Sequence, residues 1–399
     1  MQEKLSKRLM GFAQSATLVM FQRSSELAAR GVDVINLGVG EPDFDTPEHI
    51  REAAHGAIEE GWTRYTPVSG LLSLREAICA KLRRENGLEY APSEIVVSNG
   101  AKQCLCNAIL SLIDPGDEVI IPAPYWVSYP QMVRIAEGKP VIVPSDIRSG
   151  FKISPGQLEA AITPRTRMLI LCSPSNPSGA VYSRSELEAL SQVLLQHPDV
   201  MVLADEIYEH IIYSGTACSI ASLPGMWERT LVVNGVSKAY AMTGWRIGYI
   251  AAPKWVADAC AKLQGQYTSG ASAVSQKAAE AALKGPQECV ETMRRSFELR
   301  RDLLVRLLQE VPGVGISVPD GAFYLLPDLS AYFGKRSAGG KIIADASDLA
   351  IYLLEEAHVA TVAGDPFGAP GCLRLSYATS EQALTEAVSR IRAALGQLS

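Results

Sequence analysis

One pattern recurs between about residue 90 and residue 255: a short apolar run, a break rich in Gly, Pro or polar residues, and then a segment with helical spacing. Short, continuous apolar runs are typical of strands buried on both faces of a mainly parallel sheet. The repeat therefore predicts β-α-β units with helices on both sides of the sheet. The apolar runs lie at 94–98, 118–122, 168–172, 200–204, 230–233 and 247–251.

Helical segments are predicted between these runs, most clearly over 101–113 and 183–195. The second begins with Ser183 three residues before Glu186, which is the spacing of a capping box. The breaks at 114–117 and 174–179 contain the Pro, Gly, Asn and Asp residues that favour turns. This part of the chain is predicted to form a large α/β domain.

The C-terminal third has a different pattern. A charged helical stretch at 291–310 precedes short strand-like segments at 322–326 and 372–376. A last helix follows, and Thr379 and Gln382 have capping-box spacing at its start. These features predict a smaller α+β domain.

The length of 399 residues also suggests more than one domain. We predict an N-terminal arm that contributes part of the small domain at 1–47, a large domain at 48–292 and the rest of the small domain at 293–399. The small domain would thus be assembled from both ends of the chain.

Composition excludes several classes of protein. The net charge of −6 does not provide the basic field that nucleic-acid binding requires. No apolar run is long enough to span a membrane, and the first residues lack a signal-peptide core, so we expect a cytoplasmic protein. The eight cysteines lack Cys-x-x-Cys pairing and the five histidines lack metal-ligand spacing, so we expect no metal site.

Chemically informative residues follow the apolar runs. Ligands of open parallel sheets bind outside the carboxyl ends of the strands, so these positions are where a site is expected. The runs are followed in turn by the Gly100 turn, Trp126, Asn176, Asp205 and Lys238. Taken singly, the Gly turn could serve backbone geometry, the aromatic residue could pack in a core, and the charged residues could form an ion pair or a turn cap.

Together these residues suit pyridoxal phosphate. That cofactor needs an amine for its aldehyde, a carboxylate beside its ring nitrogen, an aromatic face and a phosphate site. Lys238, Asp205, Trp126 and the turn at Gly100 match these needs in that order. Arg246, eight residues after the lysine, adds a fixed cation for the phosphate.

The chain resembles the fold-type I, pyridoxal-phosphate-dependent class I aminotransferases, and most closely the class I beta aspartate aminotransferases of bacteria. The resemblance covers nearly the whole chain. Its most specific motifs are Asp205-Glu-Ile-Tyr-Glu209 and Asn234-Gly-Val-Ser-Lys-Ala-Tyr-Ala-Met-Thr-Gly-Trp-Arg246. Further motifs lie at 40–47, 114–119, 125–130, 173–180 and 374–379. This family has a mainly parallel sheet of seven-stranded type between helices, plus a smaller α+β domain.

The resemblance implies roles for the residues around the cofactor. Lys238 would hold it as an aldimine and, once released, act as the general base. Asp205 would pair with the pyridinium nitrogen, Tyr208 and Asn176 would hydrogen-bond the ring oxygen, and Trp126 would stack on the ring. The phosphate would be surrounded by Gly100, Ala101, Lys102 and Arg246.

The resemblance also implies a substrate site. Arg374 would bind the substrate α-carboxylate in a bidentate fork, with Gly40, Trp126 and Asn176 lining the same pocket. Lys102 matches a lysine that contacts the distal carboxylate, which favours aspartate and glutamate; the alternative is a phosphate neighbour or an exposed helix cation. Tyr65 matches a tyrosine that reaches the phosphate from a neighbouring subunit, which implies a homodimer with active sites at the subunit interface.

Three positions depart from the family pattern. Gly235 replaces a serine that often binds the phosphate, and Ala13 replaces a lysine that is tied to prephenate use in some relatives. Tyr267 stands where relatives frequently have a small residue, and it would alter specificity if it faced the site.

The resemblance implies ping-pong transamination, with aspartate as donor and 2-oxoglutarate as acceptor. An aromatic or other amino-acid transaminase, a β-lyase and a decarboxylase on the same fold remain alternatives. A dinucleotide-dependent oxidoreductase is disfavoured because no Gly-x-Gly-x-x-Gly opens a helix after a predicted strand. A transcriptional regulator built on this fold would need an added N-terminal DNA-binding domain, for which we see no room.

Overall fold

The computed structural model describes residues 16–399. Its α-helices are α1 (Ala16–Ala29), α2 (Glu48–Glu59), α3 (Leu72–Lys81), α4 (Ala101–Leu112), α5 (Tyr129–Ile135), α6 (Pro155–Ala161), α7 (Arg184–Leu195), α8 (Lys254–Tyr267), α9 (Ala273–Lys284), α10 (Glu288–Gln309), α11 (Ala346–Glu356) and α12 (Glu381–Leu395). The strands are β1 (Ile35–Asn36), β2 (Ile95–Ser98), β3 (Glu118–Pro122), β4 (Lys139–Val143), β5 (Thr166–Cys172), β6 (Met201–Asp205), β7 (Thr230–Gly235), β8 (Gly248–Ala251), β9 (Tyr324–Leu325), β10 (Val359–Ala360), β11 (Val362–Ala363) and β12 (Leu373–Ser376).

A seven-stranded sheet in the order β2-β8-β7-β6-β5-β3-β4 forms the centre of the larger part. Its neighbouring strands pair in parallel except β8, which is antiparallel to both β7 and β2. The predicted α/β fold with a mainly parallel sheet is confirmed. Strand β4 is not predicted from the sequence: this edge strand contains Lys139 and Pro140, it is largely exposed or half-buried, and it lacks a continuous apolar run.

Alternate residues of β5 show that both faces of the sheet are covered. Met168 and Ile170 pack in a core with residues of α4 and α8, whereas Leu169 and Leu171 pack in another core with residues of α7. Because successive side chains of a strand point to opposite faces, these two cores lie on opposite sides of the sheet. The continuous apolar runs in the sequence reflect this double burial.

The smaller part combines both ends of the described chain. Strands β11, β12 and β9 form an antiparallel sheet, and β1 pairs in parallel with β10 through Ile35–Val359 and Asn36–Ala360. The short N-terminal strand therefore lies beside a C-terminal strand. The proposed boundaries at 47/48 and 292/293 stay predictions, and Ala13 lies outside the described residues.

Helix capping confirms one sequence prediction and corrects another. Ser183 and Glu186 form the expected reciprocal capping box at the start of α7. At α12 the predicted pair Thr379 and Gln382 is wrong, because Ser380 is the N-cap and its side chain accepts a hydrogen bond from the Ala383 N–H. The displacement by one residue arises because Ser and Thr are adjacent there and both suit the N-cap position.

The loop after β6 is fixed by a buried ion pair. Glu209 accepts hydrogen bonds from Lys81, Asn86 and Asn234, and Lys81 and Glu209 are both almost fully buried. These contacts hold the segment that carries Asp205 and Tyr208 at the carboxyl end of the sheet. Glu209 in this motif thus has a structural explanation.

Within the described residues, no helix has the length and apolar character needed to cross a membrane. All eight cysteines are free thiols. The cytoplasmic location stays a prediction.

Candidate active site

A cavity of about 330 Å³ opens at the carboxyl ends of the central strands. It is bordered by residues that follow β2, β3, β5, β6 and β7 and by the smaller part of the molecule. The sequence-predicted residues that line it are Gly40, Ala101, Lys102, Trp126, Asn176, Asp205, Tyr208, Lys238, Arg246 and Arg374. Segments distant in sequence are therefore brought to one place, as the strand-end rule predicts.

Lys238 lies three residues beyond β7 and is largely buried. Its Nζ donates a hydrogen bond to the carbonyl oxygen of Gly40 at 2.7 Å. Burial lowers the pKa of Lys238 to about 8; Arg374 and Arg246 also lower it, while Glu41 opposes the shift. An amine with this pKa is partly neutral near physiological pH, as a nucleophile or general base must be.

Asp205 ends β6 and is buried beneath the cavity. Its Oδ2 accepts a hydrogen bond from the Tyr129 hydroxyl at 2.6 Å, and its Oδ1 accepts one from the Ile207 N–H at 3.3 Å. Burial raises the pKa of Asp205, although both hydrogen bonds and the charge of Lys238 work against this shift. A cation bound beside Asp205 would keep the carboxylate ionised.

Arg374 on β12 is a buried cation with only 2% of its surface exposed. Its Nη1 donates to Asn176 Oδ1 at 3.0 Å and its Nη2 donates to the Gly38 carbonyl at 2.7 Å. Its Nε is buried without a hydrogen-bond partner, and no carboxylate within 16–399 forms an ion pair with it. Burial of an unpaired charge is costly, so this arrangement indicates a site for an anionic ligand.

A second candidate anion site lies where α4 begins. Gly100 has a positive φ of 81°, and a Cβ at this position would lie 2.2 Å from Nη2 of Arg246. The guanidinium is held there by bonds to the carbonyl oxygens of Thr243 (2.8 Å) and Asn99 (3.1 Å). The free N–H groups at the start of α4 and this fixed cation together favour a phosphate.

Gly235, where relatives often have serine, has no room for a side chain. A Cβ there would lie 2.8 Å from the Ile247 carbonyl oxygen and 2.9 Å from the Cα of Gly248. The backbones of β7 and β8 therefore approach too closely for serine at this position. Arg246 and the N–H groups at the start of α4 are therefore the groups on this side that could bind an anion.

Lys102 and Trp126 are in contact at one side of the cavity. The Lys102 Nζ lies 4.8 Å from the centroid of the Trp126 ring, and partial burial lowers the pKa of this lysine. Trp126 also makes an edge-to-face contact with Tyr129, with ring centroids 5.5 Å apart. The lysine ammonium thus lies over an aromatic face beside the cavity, without a carboxylate partner in the described chain.

Tyr65 is not brought into this cavity. Its side chain is 99% exposed, and it borders a separate surface groove with Trp62 and Gly270. Tyr267 is also exposed, at 70%, and does not line the cavity of its own chain.

Two further tyrosines, Tyr129 and Tyr324, belong to the site although the sequence did not indicate them. Tyr129 fixes Asp205, as described above, and the Tyr324 hydroxyl lies 2.9 Å from that of Tyr208. Both tyrosines are almost fully buried. A signal was present, because a phenol within a predicted buried segment needs a hydrogen-bond partner, but the sequence does not reveal which one.

Comparison with known proteins identifies the family. The model of the family described as aminotransferase class I and II matches residues 32–391. The chain belongs to this aminotransferase family. A bifunctional aspartate aminotransferase and glutamate/aspartate-prephenate aminotransferase of Petunia hybrida is 54% identical, over 98% of this chain and 82% of the relative. An aspartate/prephenate aminotransferase of Cereibacter sphaeroides is 51% identical over 99% of both chains.

Solved structures agree with this aminotransferase fold. The aspartate aminotransferase of Rhizobium meliloti has a TM-score of 0.96 and 49% identity, covering 99% of this chain and 100% of that one. The aspartate aminotransferase of Thermus thermophilus with maleate has a TM-score of 0.92 and 45% identity, covering 98% and 99%. The resemblance inferred from the sequence and the fold class are both confirmed.

The environment of Lys238 in this aminotransferase predicts unusual reactivity. In protein stripped of bound small molecules, acylation of Lys238 by a small electrophile should reach half its maximal rate near pH 8, because the neutral amine reacts. Exposed lysines ordinarily gain reactivity up to about pH 10.4. Pulse labelling at a series of pH values, followed by peptide mass spectrometry, measures the acylation rates of Lys238 and of the exposed lysines in the same sample. A Lys238 rate that still climbs at pH 10 would contradict the assigned environment.

Proposed function

We propose that this aminotransferase transfers the amino group of L-aspartate to 2-oxoglutarate with pyridoxal 5'-phosphate as cofactor. The observation that carries the proposal is the buried, unpaired Arg374 in the same cavity as Lys238 and Asp205. This cavity offers an amine, a carboxylate and two anion sites, which are the groups that an amino acid and this cofactor require.

The donor set fits the cofactor. Lys238 provides an amine with a depressed pKa for the aldehyde, and Asp205 provides a buried carboxylate for a protonated ring nitrogen. The space that a Cβ on Gly100 would fill is taken by the Arg246 guanidinium, which together with the N–H groups of α4 would bind the phosphate. Trp126 would contact the ring, and Tyr208 and Asn176 would bind the ring oxygen.

When bound, pyridoxal phosphate supplies an electron sink that acidifies the substrate Cα–H. Arg374 would orient the substrate through its α-carboxylate; two of its five N–H donors are used by Asn176 and Gly38, so three remain. The neutral amine of Lys238 would take the proton from the substrate Cα and deliver it to a carbon of the cofactor. Asp205, held by Tyr129, would keep its cationic partner protonated throughout.

The preference for dicarboxylic substrates is supported by Lys102 and by the relatives. Lys102 lies at the cavity with no carboxylate partner in the described chain, so it can bind a distal carboxylate. Aspartate and 2-oxoglutarate both carry such a group, which lets one site accept each substrate in turn, as ping-pong transfer requires. The Thermus thermophilus relative was solved with maleate, which is also a dicarboxylate.

We also propose a homodimer in which Tyr65 reaches the phosphate of the neighbouring subunit. The tyrosine is 99% exposed in the single chain, and the aromatic ring of Tyr267 is 70% exposed. Exposed aromatic side chains of this kind are enriched at interfaces between subunits. The single-chain cavity has no contribution from Tyr65, so its phosphate site would be completed by a second copy.

Cofactor absorbance, borohydride trapping and turnover assays test the proposed function. The purified protein should be yellow, be trapped by borohydride and convert aspartate with 2-oxoglutarate into oxaloacetate, whereas Lys238→Ala should lose both the visible band and turnover. A panel with aromatic amino acids and prephenate tests other transaminase activities, since both relatives described above carry prephenate in their names. A colourless protein that binds no pyridoxal phosphate would overturn the proposal, and elimination without amino transfer would favour a β-lyase.

Lys102→Ala tests the specificity assignment. Loss of a charge-assisted bond should reduce kcat/KM for aspartate by about tenfold or more, with little change for an aromatic amino acid. Lys254→Ala, which removes a surface lysine paired with Asp258, is the matched control and should leave both substrates unaffected. An equal loss for dicarboxylic and aromatic substrates would show instead that Lys102 serves the cofactor.

Subunit complementation tests the dimer. Tyr65→Ala and Lys238→Ala should each be impaired on their own. When their subunits are exchanged at equal amounts, about half of the dimers are hybrids, and each hybrid has one complete site. Roughly a quarter of all sites, and of the parent activity, should therefore be restored. Turnover after co-expression or mild dissociation measures this recovery. Monomers in sedimentation, or no recovery despite confirmed hybrids, would contradict the shared site.

A further inference from the structure

Tyr324 contacts several groups of the site at once, although it has no assigned role. It lies on β9 and is fully buried. Its hydroxyl is 2.9 Å from that of Tyr208, and its ring centroid is 4.7 Å from the guanidinium carbon of Arg374. A Cβ on Gly40 would lie 2.7 Å from the Tyr324 hydroxyl, so the phenol also fills the space beside the glycine whose carbonyl binds Lys238.

Core packing alone does not account for these contacts. Tyr324 does pack against Phe323, with ring centroids 4.8 Å apart, but phenylalanine would provide the same apolar ring. A buried hydroxyl lowers stability unless it is hydrogen-bonded, and here the observed partner is another buried hydroxyl that belongs to the site. The polar end of Tyr324 therefore serves the site as well as the core.

We propose that Tyr324 is a positioning residue with two separable contributions: its ring supports Arg374 for carboxylate binding, and its hydroxyl orients Tyr208 toward the cofactor ring oxygen. This inference rests on the proposed function. Tyr324 borders the cavity, but its hydroxyl bonds that of Tyr208, whereas Lys238 bonds the Gly40 carbonyl, so Tyr324 would act through Tyr208 and Arg374.

The ring contribution follows from how Arg374 is held. The guanidinium has two hydrogen bonds to neutral oxygens and no carboxylate partner in the described chain, so aromatic contacts provide much of its remaining stabilisation. Phe367 supplies a second ring, 5.0 Å from the same guanidinium carbon. Contacts between a desolvated cation and aromatic rings are favourable and limit its orientation. Removing either ring should therefore weaken carboxylate binding.

The hydroxyl contribution follows from hydrogen-bond direction. Burial raises the pKa values of both Tyr208 and Tyr324, so both phenols stay protonated. When Tyr208 donates its proton to the ring oxygen, the Tyr324 hydroxyl can donate to the Tyr208 oxygen. Such a chain polarises the first hydroxyl and strengthens its outward bond. Without Tyr324 the ring oxygen would be bound less tightly and become more basic.

Two readouts on the cofactor-loaded enzyme separate the contributions. The first is the dissociation constant of succinate, a dicarboxylate that has no amino group and cannot react, measured by spectral titration. The second is the pH midpoint of the visible band, which reports the proton held at the Lys238 nitrogen. The charged and titratable groups around Lys238 are Glu41, Asp205, Tyr208, Arg246 and Arg374, and all are unchanged in the variants below.

Tyr324→Phe keeps the ring and loses the hydroxyl. It should bind succinate within about twofold of the parent enzyme but move the pH midpoint upward by about half a unit, because a more basic ring oxygen retains the proton more strongly. Phe367→Leu is the matched control, since it removes a ring and no hydroxyl. It should weaken succinate binding by roughly fivefold to tenfold and leave the midpoint in place. Tyr324→Leu should show both effects.

The outcomes discriminate between this role, a packing role and failure of the proposed function. An unchanged midpoint in Tyr324→Phe would overturn the hydroxyl contribution, and unchanged succinate affinity in both Phe367→Leu and Tyr324→Leu would overturn the ring contribution. If Tyr324→Leu does not fold, Tyr324→Phe and Phe367→Leu still test the two contributions separately. A parent enzyme without a visible band would instead contradict the proposed function.

Discussion

The buried guanidinium of Arg374 is the interaction on which the arrangement of the site depends. Its two hydrogen bonds join the N-terminal segment, through the Gly38 carbonyl, and the loop after β5, through Asn176, to the C-terminal strand β12. A charge in a low-dielectric interior interacts strongly with every nearby dipole, so these contacts hold the parts of the chain together. They also leave N–H donors without protein acceptors, so the residue that joins these segments is also the one proposed to bind the substrate carboxylate.

The antiparallel strand β8 explains the second anion site. Because β8 returns between β2 and β7, Gly248 at its start lies against Gly100 and Ala101, and a Cβ on Gly248 would be only 2.3 Å from the Ala101 nitrogen. Arg246, two residues earlier, is thereby brought to the first turn of α4. This close backbone approach requires glycine at position 248, and the approach of β8 to β7 likewise leaves no room for serine at position 235.

The sequence predicted which residues would share one cavity where strand order alone decides the geometry. Lys238, Asp205, Asn176 and Trp126 each follow a buried strand, and parallel strands bring their carboxyl ends to one edge regardless of side-chain detail. It failed where neighbours from distant segments decide the role: Tyr324 is an aromatic residue in a short apolar strand until the fold places it beside Tyr208 and Arg374. Tyr65 is a related case, since its predicted partner belongs to another copy of the chain.

Burial disfavours the charged form of each ionisable group in the cavity, so it shifts the pKa values of acids and bases in opposite directions. It raises the pKa of Asp205, lowers that of Lys238 and leaves Arg374 charged without a carboxylate partner in the described chain. Each group thus lacks, within these residues, an ion-pair partner of opposite charge that would stabilise its ionised form. A ligand that brings a cation to Asp205, an electrophilic carbon to Lys238 and a carboxylate to Arg374 would relieve all three at once. Because the three groups require different chemical features, a ligand that provides only one of these features gains only part of the possible binding free energy. The proposed binding of a cofactor and an amino acid together would therefore follow from electrostatics that are already present in the protein alone.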